Sequence, residues 1–317
     1  MSTQALILGS GVSAGLAANI LSRQYDLTLA TILGTPSSPI PEMLPRRTFF
    51  DALGVSAEEE CEAVAAVAPK LETVRWVRSG DSQVRSLRST SDYLVYEKGC
   101  LAAWLISRAK TLGVSINIDN TFQSERTLHE REVIFDCRGR KAVADDDSYV
   151  HQVLKNPATH FTYAIVRRPE KTNPGHMEVL SSVPVKGVEA TLFAIPIGAF
   201  HMSIGLSYRS DISLTTSDVF VAAHAHLGLD FSVQDIHTMG TARPSVIETS
   251  TREKHRYPLG ETERSTCPLY EYGVMASLSR ILTFSGMRSL PESALLRPSS
   301  SEVAPPMFLE SFSYEQI

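Results

Sequence analysis

The chain has 317 residues, 43% hydrophobic and 21% charged, with a formal net charge of −5 at pH 7. That length admits two domains, or one domain with a large insertion, and the mild acidity gives no reason to expect nucleic acid or an anionic membrane as partner. The four cysteines include no Cys-x-x-Cys pair, so neither a metal nor a disulfide framework is expected, and no run of about 18 apolar residues predicts a membrane span.

Residues 5–15, Ala-Leu-Ile-Leu-Gly-Ser-Gly-Val-Ser-Ala-Gly, read as a short apolar strand, a glycine turn and the start of a helix. Gly9, lacking Cβ, permits the tight turn. Gly11 lets the backbone approach a pyrophosphate, and a helix from Val12 points its N-terminal amides at that charge. Ala14 stands at the third fingerprint position, followed by Gly15, where close packing of helix on strand is required. The segment lacks the basic start of a signal peptide, so a cytoplasmic protein is expected. One element of the fingerprint is missing. An acidic residue should follow about 20 residues after the first glycine to hold ribose hydroxyls, but the second strand, Leu27 to Thr31, ends in Ala30, Thr31 and Ile32.

Beyond that strand, Gly34 to Glu42 is rich in Pro and Ser and reads as a loop. Arg46 to Gly54 reads as a helix stopped by glycine, and Ala57 to Val67 as a helix with Glu58, Glu59 and Glu60 in its first turn. Residues 72–96 alternate like antiparallel strands with a turn at Ser79-Gly-Asp81. A helix over Leu101 to Leu112 leads to strands at Val114 to Ile118 and Glu132 to Asp136, the latter ending in Cys137-Arg-Gly-Arg140. Residues 160–208 are strand-rich, Ser217 to Leu229 reads as one amphipathic helix, and the tail after Leu296 is rich in Ser and Pro.

Four stretches, taken in order, resemble FAD-dependent monooxygenases of the p-hydroxybenzoate hydroxylase fold, and within them the tryptophan halogenase branch. Gly9 to Leu16 resembles the pyrophosphate turn. Tyr96-Glu97-Lys98-Gly-Cys-Leu101-Ala-Ala-Trp104-Leu105 is similar to the family's Val-Asp-Arg-x-x-Phe-Asp-x-x-Leu, with Glu97 for Asp and Lys98 for Arg. Asp136-Cys-Arg-Gly139-Arg140 resembles Asp-Ala-x-Gly-Arg. Gly260-Glu261, Pro268 and Gly273-Val274 resemble Gly-Asp-Ala, Pro and Gly-Val at the same internal spacing.

The resemblance implies an α/β architecture, a Rossmann-like FAD-binding domain with an inserted antiparallel β-sheet substrate domain. The FAD-binding domain would span 1–158, with a small β excursion at 72–96. The substrate domain, mainly antiparallel sheet plus a helix, would span 159–245, with a return segment at 246–290 and a short tail at 291–317. FAD contacts would come from Gly9, Gly11, Ala14, Gly15, Arg46, Lys98, Asp136, Gly139, Gly260, Glu261, Pro268, Gly273 and Val274. Glu261 would accept hydrogen bonds from the ribitol. Lys98 would hold the cofactor from its second side, with less directional bonding than arginine. No catalytic side chain is plainly signalled; His201 and Tyr163, in the inserted sheet, are the candidates.

The family implies a monooxygenase that hydroxylates an aromatic or electron-rich substrate through a flavin C4a-peroxide, the flavin being reduced by NAD(P)H directly or by a separate flavin reductase. Halogenation is disfavoured, because no lysine precedes Lys70 and Ala190-Thr-Leu-Phe-Ala-Ile195-Pro196 lacks both tryptophans of the halogenase signature. The short stretch after Gly273 would leave the substrate side open to a peptide or protein-bound substrate, as in quinone-cofactor maturation. A third reading is a degenerate, non-catalytic binding or chaperone-like module, consistent with the altered Asp, Arg and ribose positions.

Overall fold

The computed structural model describes residues 3–31, 41–67, 73–78, 85–87, 93–118, 133–155, 159–173, 176–197, 200–242, 246–265 and 272–287. The chain divides into two compact units. One comprises 1–68, 91–155 and 245–297, the other 69–90, 156–244 and 298–317.

The first unit is built on a five-stranded sheet. Its strands are β1 (Thr3–Leu8), β2 (Tyr25–Thr31), β7 (Ser115–Ile118), β8 (Val133–Asp136) and β16 (Arg256–Pro258). Their order is β16-β8-β1-β2-β7, and every pairing is parallel. The sheet order therefore reverses between β1 and β8, the point where open α/β sheets bind ligands outside the carboxyl ends of their strands. From Ala5 to Leu8 every side chain of β1 is buried, as expected for a central parallel strand covered on both faces.

Helix α1 (Val12–Leu21) follows the turn, and α4 (Lys98–Thr111) packs against it at close range. Gly15 is what permits the approach, since a Cβ there would lie 2.6 Å from the Leu105 Cβ. Its sequence position predicts helix–strand packing; the tight contact is with a second helix instead. Buried Asn19 locks the pair. Its amide donates to the carbonyls of Gly15 (2.8 Å) and Leu105 (2.7 Å), and its oxygen accepts from Arg108 Nη1 (2.8 Å). Two further helices, α2 (Arg46–Leu53) and α3 (Ala57–Val67), belong to this unit, α2 ending where Gly54 adopts φ 63°. The short α5 (Arg140–Val143) follows β8, and α7 (Tyr272–Phe284) packs on α1. Two small sheets complete the unit. One pairs β3 (Pro41–Pro45) with β6 (Tyr93–Glu97); the other joins β9 (Tyr149–Lys155), β15 (Val246–Thr251) and β17 (Arg264–Ser265).

The second unit holds a seven-stranded sheet in the order β14-β10-β13-β12-β11-β4-β5. The strands are β4 (Thr73–Arg78), β5 (Arg85–Leu87), β10 (Thr159–Arg167), β11 (His176–Val185), β12 (Val188–Ile197), β13 (His201–Arg209) and β14 (Ile236–Ala242). Helix α6 (Thr216–Leu227) covers one face, burying Val219, Ala222 and Ala223 with Ala164, Val166, Leu192, Ile204 and Leu206. A capping box starts this helix: Asp218 N–H donates to the Thr215 hydroxyl, and the Asp218 carboxylate accepts from Thr215 N–H at 2.8 Å.

The excursion at 72–96 differs from expectation. It is split: β4 pairs parallel with β11 and β5 pairs with β4, so both join the second sheet, while only β6 pairs within the first unit. The inserted sheet is consequently mixed rather than wholly antiparallel. The reason is a long-range backbone ladder from Thr73–Arg78 to His176–Ser181, which alternation within 72–96 cannot reveal. The turn at Ser79-Gly-Asp81, most of the loop at 34–42 and the Ser/Pro-rich tail lie outside the described residues.

Candidate functional site

The site is built at the carboxyl end of the parallel sheet. Leu8 ends β1, and Gly9 turns the chain with φ 139° while its N–H donates to the Ala30 carbonyl (3.1 Å). A Cβ on Gly9 would stand 2.5 Å from the Cys137 carbonyl oxygen and 3.3 Å from the Ala14 Cβ, so the turn is pressed against the end of β8 and Ala14 backs it. Gly11 is the N-cap of α1, in extended conformation, with no side-chain cap. A Cβ there would meet nothing within 4 Å. The glycine therefore keeps open the space in front of the first-turn amides, the geometry that accepts an anion.

The return segment arrives at the same place. After β16, Leu259 N–H donates to the Asp136 carbonyl (2.9 Å), and Gly260 takes the left-handed conformation, φ 63°. A Cβ on Gly260 would fall 2.2 Å from Ser13 Oγ and 2.5 Å from Ser13 Cβ, so only glycine fits against the first turn of α1. Thr262, wholly buried, accepts the Gly139 N–H at 2.7 Å and ties the return loop to the loop after β8. Glu261 lies 3.9 Å from Lys98 Nζ, with the two side chains 54% and 26% exposed. The structure thus brings Gly9, Gly11, Ala14, Gly139, Gly260, Glu261 and Lys98 to one sheet end. Val274 is buried in α7, where Gly273 also lies, and Pro268 is outside the described residues.

Asp136 plays a different part from a surface contact. Its carboxylate is wholly buried and accepts from Arg138 Nη2 (2.6 Å), Arg138 N–H (3.1 Å) and the Tyr149 hydroxyl (2.5 Å). Burial, reinforced by the Asp136 charge, raises the Tyr149 phenol far above its ordinary range. Burial and the same charge also raise the Cys137 thiol. Burial opposes the charge on Arg138, but Asp136 outweighs it and the guanidinium is held more firmly protonated. Asp136 therefore anchors the loop that presents Gly139. Arg46, at the start of α2, is ion-paired with Glu60 at 2.5 Å. Sequence reading overlooked Ser13, Thr262 and Tyr149. Only Ser13 carried a local signal, its place inside the glycine turn.

In the second unit Tyr163 and His201 both face away from α6, because their neighbours Ala164 and Met202 point into the core beneath that helix. Tyr163 pairs with Gly205 and with Gly240, and its hydroxyl lies 3.1 Å from where a Gly240 Cβ would be. His201 is opposite Arg167, four residues along the strand and so about 13 Å away. Its ring stands 5.3 Å from that of His237. The two candidates do not form one constellation. Among the described residues no group of three or more His, Cys, Asp or Glu could hold a metal, and no helix is long and apolar enough to cross a membrane.

No protein-family model matches the chain, and no curated protein does. Solved structures do. The tetracycline destructase Tet(55) is similar over 90% of this chain and 80% of its own, with TM-score 0.57 and 12% identity. Xcc4156, a flavin-dependent halogenase from Xanthomonas campestris, matches over 93% of this chain and 73% of its own, with TM-score 0.55 and 13% identity. The peptidyl tryptophan dihydroxylase QhpG, essential for tryptophylquinone cofactor biogenesis, matches over 90% and 66%, with TM-score 0.56 and 13% identity. The chain shares its fold with these three solved structures.

Proposed function

We infer that the first unit binds FAD and that the chain is a flavin-dependent monooxygenase acting on an aromatic or otherwise electron-rich substrate. The observation that carries this reading is the closure of Gly260 on Ser13. It makes the phosphate turn and the return loop, from opposite ends of the chain, into one site. The residues present fit the cofactor: an open Cβ-free cradle at Gly11, uncapped amides at the start of α1, and a cation and a carboxylate, Lys98 and Glu261, on the return side.

When bound, the flavin supplies the electrons that activate oxygen for transfer to the substrate. The chain's own work is to bind, orient and protonate. The amides of Val12, Ser13 and Ala14 would take the pyrophosphate, Glu261 would accept from ribitol hydroxyls, and Lys98 would hold the cofactor from its second side. Arg46, Gly273 and Val274 would complete the contacts. Thr31 or backbone groups serve the ribose in place of the missing carboxylate. Tyr163 or His201 would donate the proton that accompanies oxygen transfer. Reducing equivalents come from NAD(P)H, directly or through a flavin reductase.

The likeness to QhpG, which acts on a peptide, favours a second reading in which the substrate is a residue of a partner peptide or protein. The test begins with the visible spectrum of the protein after FAD is added and the excess removed, followed by anaerobic titration with reduced FAD. Retained flavin, or saturable binding of the reduced form, supports the reading. Failure of both forms to bind points to a non-catalytic module. Product analysis with free aromatics and with tryptophan- or tyrosine-containing peptides then separates the two substrate classes.

A further inference from the structure

The large sheet of the second unit ends on an open edge. Among the described residues β14 pairs with β10 and with no other strand. The ladder skips His237, and beyond that bulge residues 238–242 run in unbroken register with 161–165. Thr238 lies on one face of the sheet and Met239 and Thr241 on the other; all three are exposed, Met239 at 62%. Among the same residues, the outer row of backbone N–H and C=O groups on β14 has no partner strand. Natural proteins blunt such a row with lysine or proline. Residues 238–242, Thr-Met-Gly-Thr-Ala, contain neither.

Glycine inside a strand marks a place where a ligand or another backbone comes close, and Gly240 sits in the middle of this stretch. It is directly opposite Tyr163, whose Oη, Cζ and Cε1 lie 3.1, 3.2 and 3.4 Å from where a Gly240 Cβ would be. The phenol therefore lies across β14 and carries its hydroxyl toward the sheet edge. A residue opposite Gly240 on an added strand would have its Cβ about 4.5–5.5 Å from that position. An aromatic side chain there reaches the Tyr163 hydroxyl. On the other face the Thr216 hydroxyl donates to Met239 Sδ at 3.6 Å. One turn along α6, Phe220 packs on Phe231 with ring centroids 5.5 Å apart, so this flank is apolar. Pairing with the β14 of a second copy would set only Thr238, Gly240 and Ala242 beside Tyr163. None is larger than threonine, so the space at Gly240 would stay unfilled.

We propose that β14 binds an extended peptide as an added strand, with a tryptophan or tyrosine opposite Gly240 and apolar side chains beside Met239. Main-chain hydrogen bonds to the open edge supply the affinity, and the alternating side chains supply the selection. The aromatic side chain meets the Tyr163 hydroxyl, which accepts from an indole N–H or a phenol. The inference rests on the second reading above, in which the substrate is a residue of a partner peptide, and says how that peptide is held.

The experiment is calorimetric titration of the full chain with the blocked peptide acetyl-Lys-Thr-Val-Trp-Val-Thr-Lys-amide and two backbone N-methylated forms. One form is methylated at Trp and both Thr, the other at both Val. Only one alternate set of amides can face β14, so one form should bind about tenfold more weakly and the other like the parent. Replacing the peptide's Trp by Ala should cost about tenfold, and less than that in Tyr163→Phe. Hydrogen exchange of alternate amides within 237–242 should slow about tenfold when the peptide is bound. Because the peptides alter only the ligand, the test survives a variant that folds poorly. The proposal is overturned by absence of saturable binding, by equal behaviour of the two methylated forms, or by unchanged exchange in β14. A dimer whose β14 amides are protected without peptide overturns it in favour of a second copy. Oxidation of the peptide by the FAD-loaded protein is scored apart. Binding on β14 without oxidation sinks the catalytic reading alone; oxidation with β14 unprotected sinks this proposal alone.

Discussion

Gly260 is the residue on which the candidate site turns. A side chain there meets two obstacles: the left-handed backbone, worth about 1–2 kcal/mol for a non-glycine residue, and a Cβ 2.2 Å from Ser13 Oγ. Gly260→Ala should lower the denaturant midpoint and weaken FAD at least tenfold in a fluorescence titration. Adding Ser13→Gly should restore the steric part only, leaving the backbone part. Asp136 makes a separate prediction. Asp136→Asn leaves Arg138 without its buried counter-charge and should destabilise the protein by about 3–5 kcal/mol in urea unfolding. Tyr149 titrates far above its usual value because burial and then Asp136 disfavour the phenolate. A raised folded-state value gives stability that is full below the unfolded value of about 10 and is lost as pH rises beyond it. Tyr149→Phe should therefore make stability fall less steeply with pH above about 10, measured as urea midpoint against pH.

At the scale of elements, α6 shows how a local motif is strengthened by its surroundings. Burial alone would raise the Asp218 carboxyl, but the Lys186 hydrogen bond and the Thr215 N–H together hold it below the ordinary range. A depressed value means stability that is present above the unfolded value of about 3.9 and is lost as pH falls through the folded one. Thr215→Ala should cost about 1 kcal/mol at neutral pH, as capping residues do. Asp218→Asn should also flatten the loss of stability below about pH 4, read from unfolding midpoints across that range. The α1–α4 contact is the other legible case. Gly15 was visible as a small residue, but only the fold shows that it faces Leu105, and that Asn19 and Arg108 join the same contact.

For the molecule as a whole, two units with separate cores give a thermodynamic test of where flavin binds. A ligand of the folded state at 100 times its dissociation constant adds about 2.7 kcal/mol. FAD should therefore raise the unfolding temperature of the full chain in calorimetry, and the Gly260→Ala variant should gain much less.

The sequence by itself determined the first strand, the glycine turn and α1, the stop of α2 at Gly54, and the boundaries of β2, β7 and β8 to within two residues. These depend on local quantities: hydrophobic period, missing Cβ atoms and positive φ. It also showed that β2 ends without a carboxylate, a fact of composition that folding cannot alter. Tertiary structure alone decided that Gly260 closes on Ser13, that Lys98 meets Glu261, and that Asp136 turns inward to Arg138 and Tyr149. It also decided that β4 and β5 leave the first unit for the second sheet. All but the Asp136 contacts join residues far apart in the chain, and the energy of such a contact depends on where the whole backbone runs, so no local pattern records it; Arg138 and Tyr149 are near Asp136 in sequence, but its burial is set by the sheet around it.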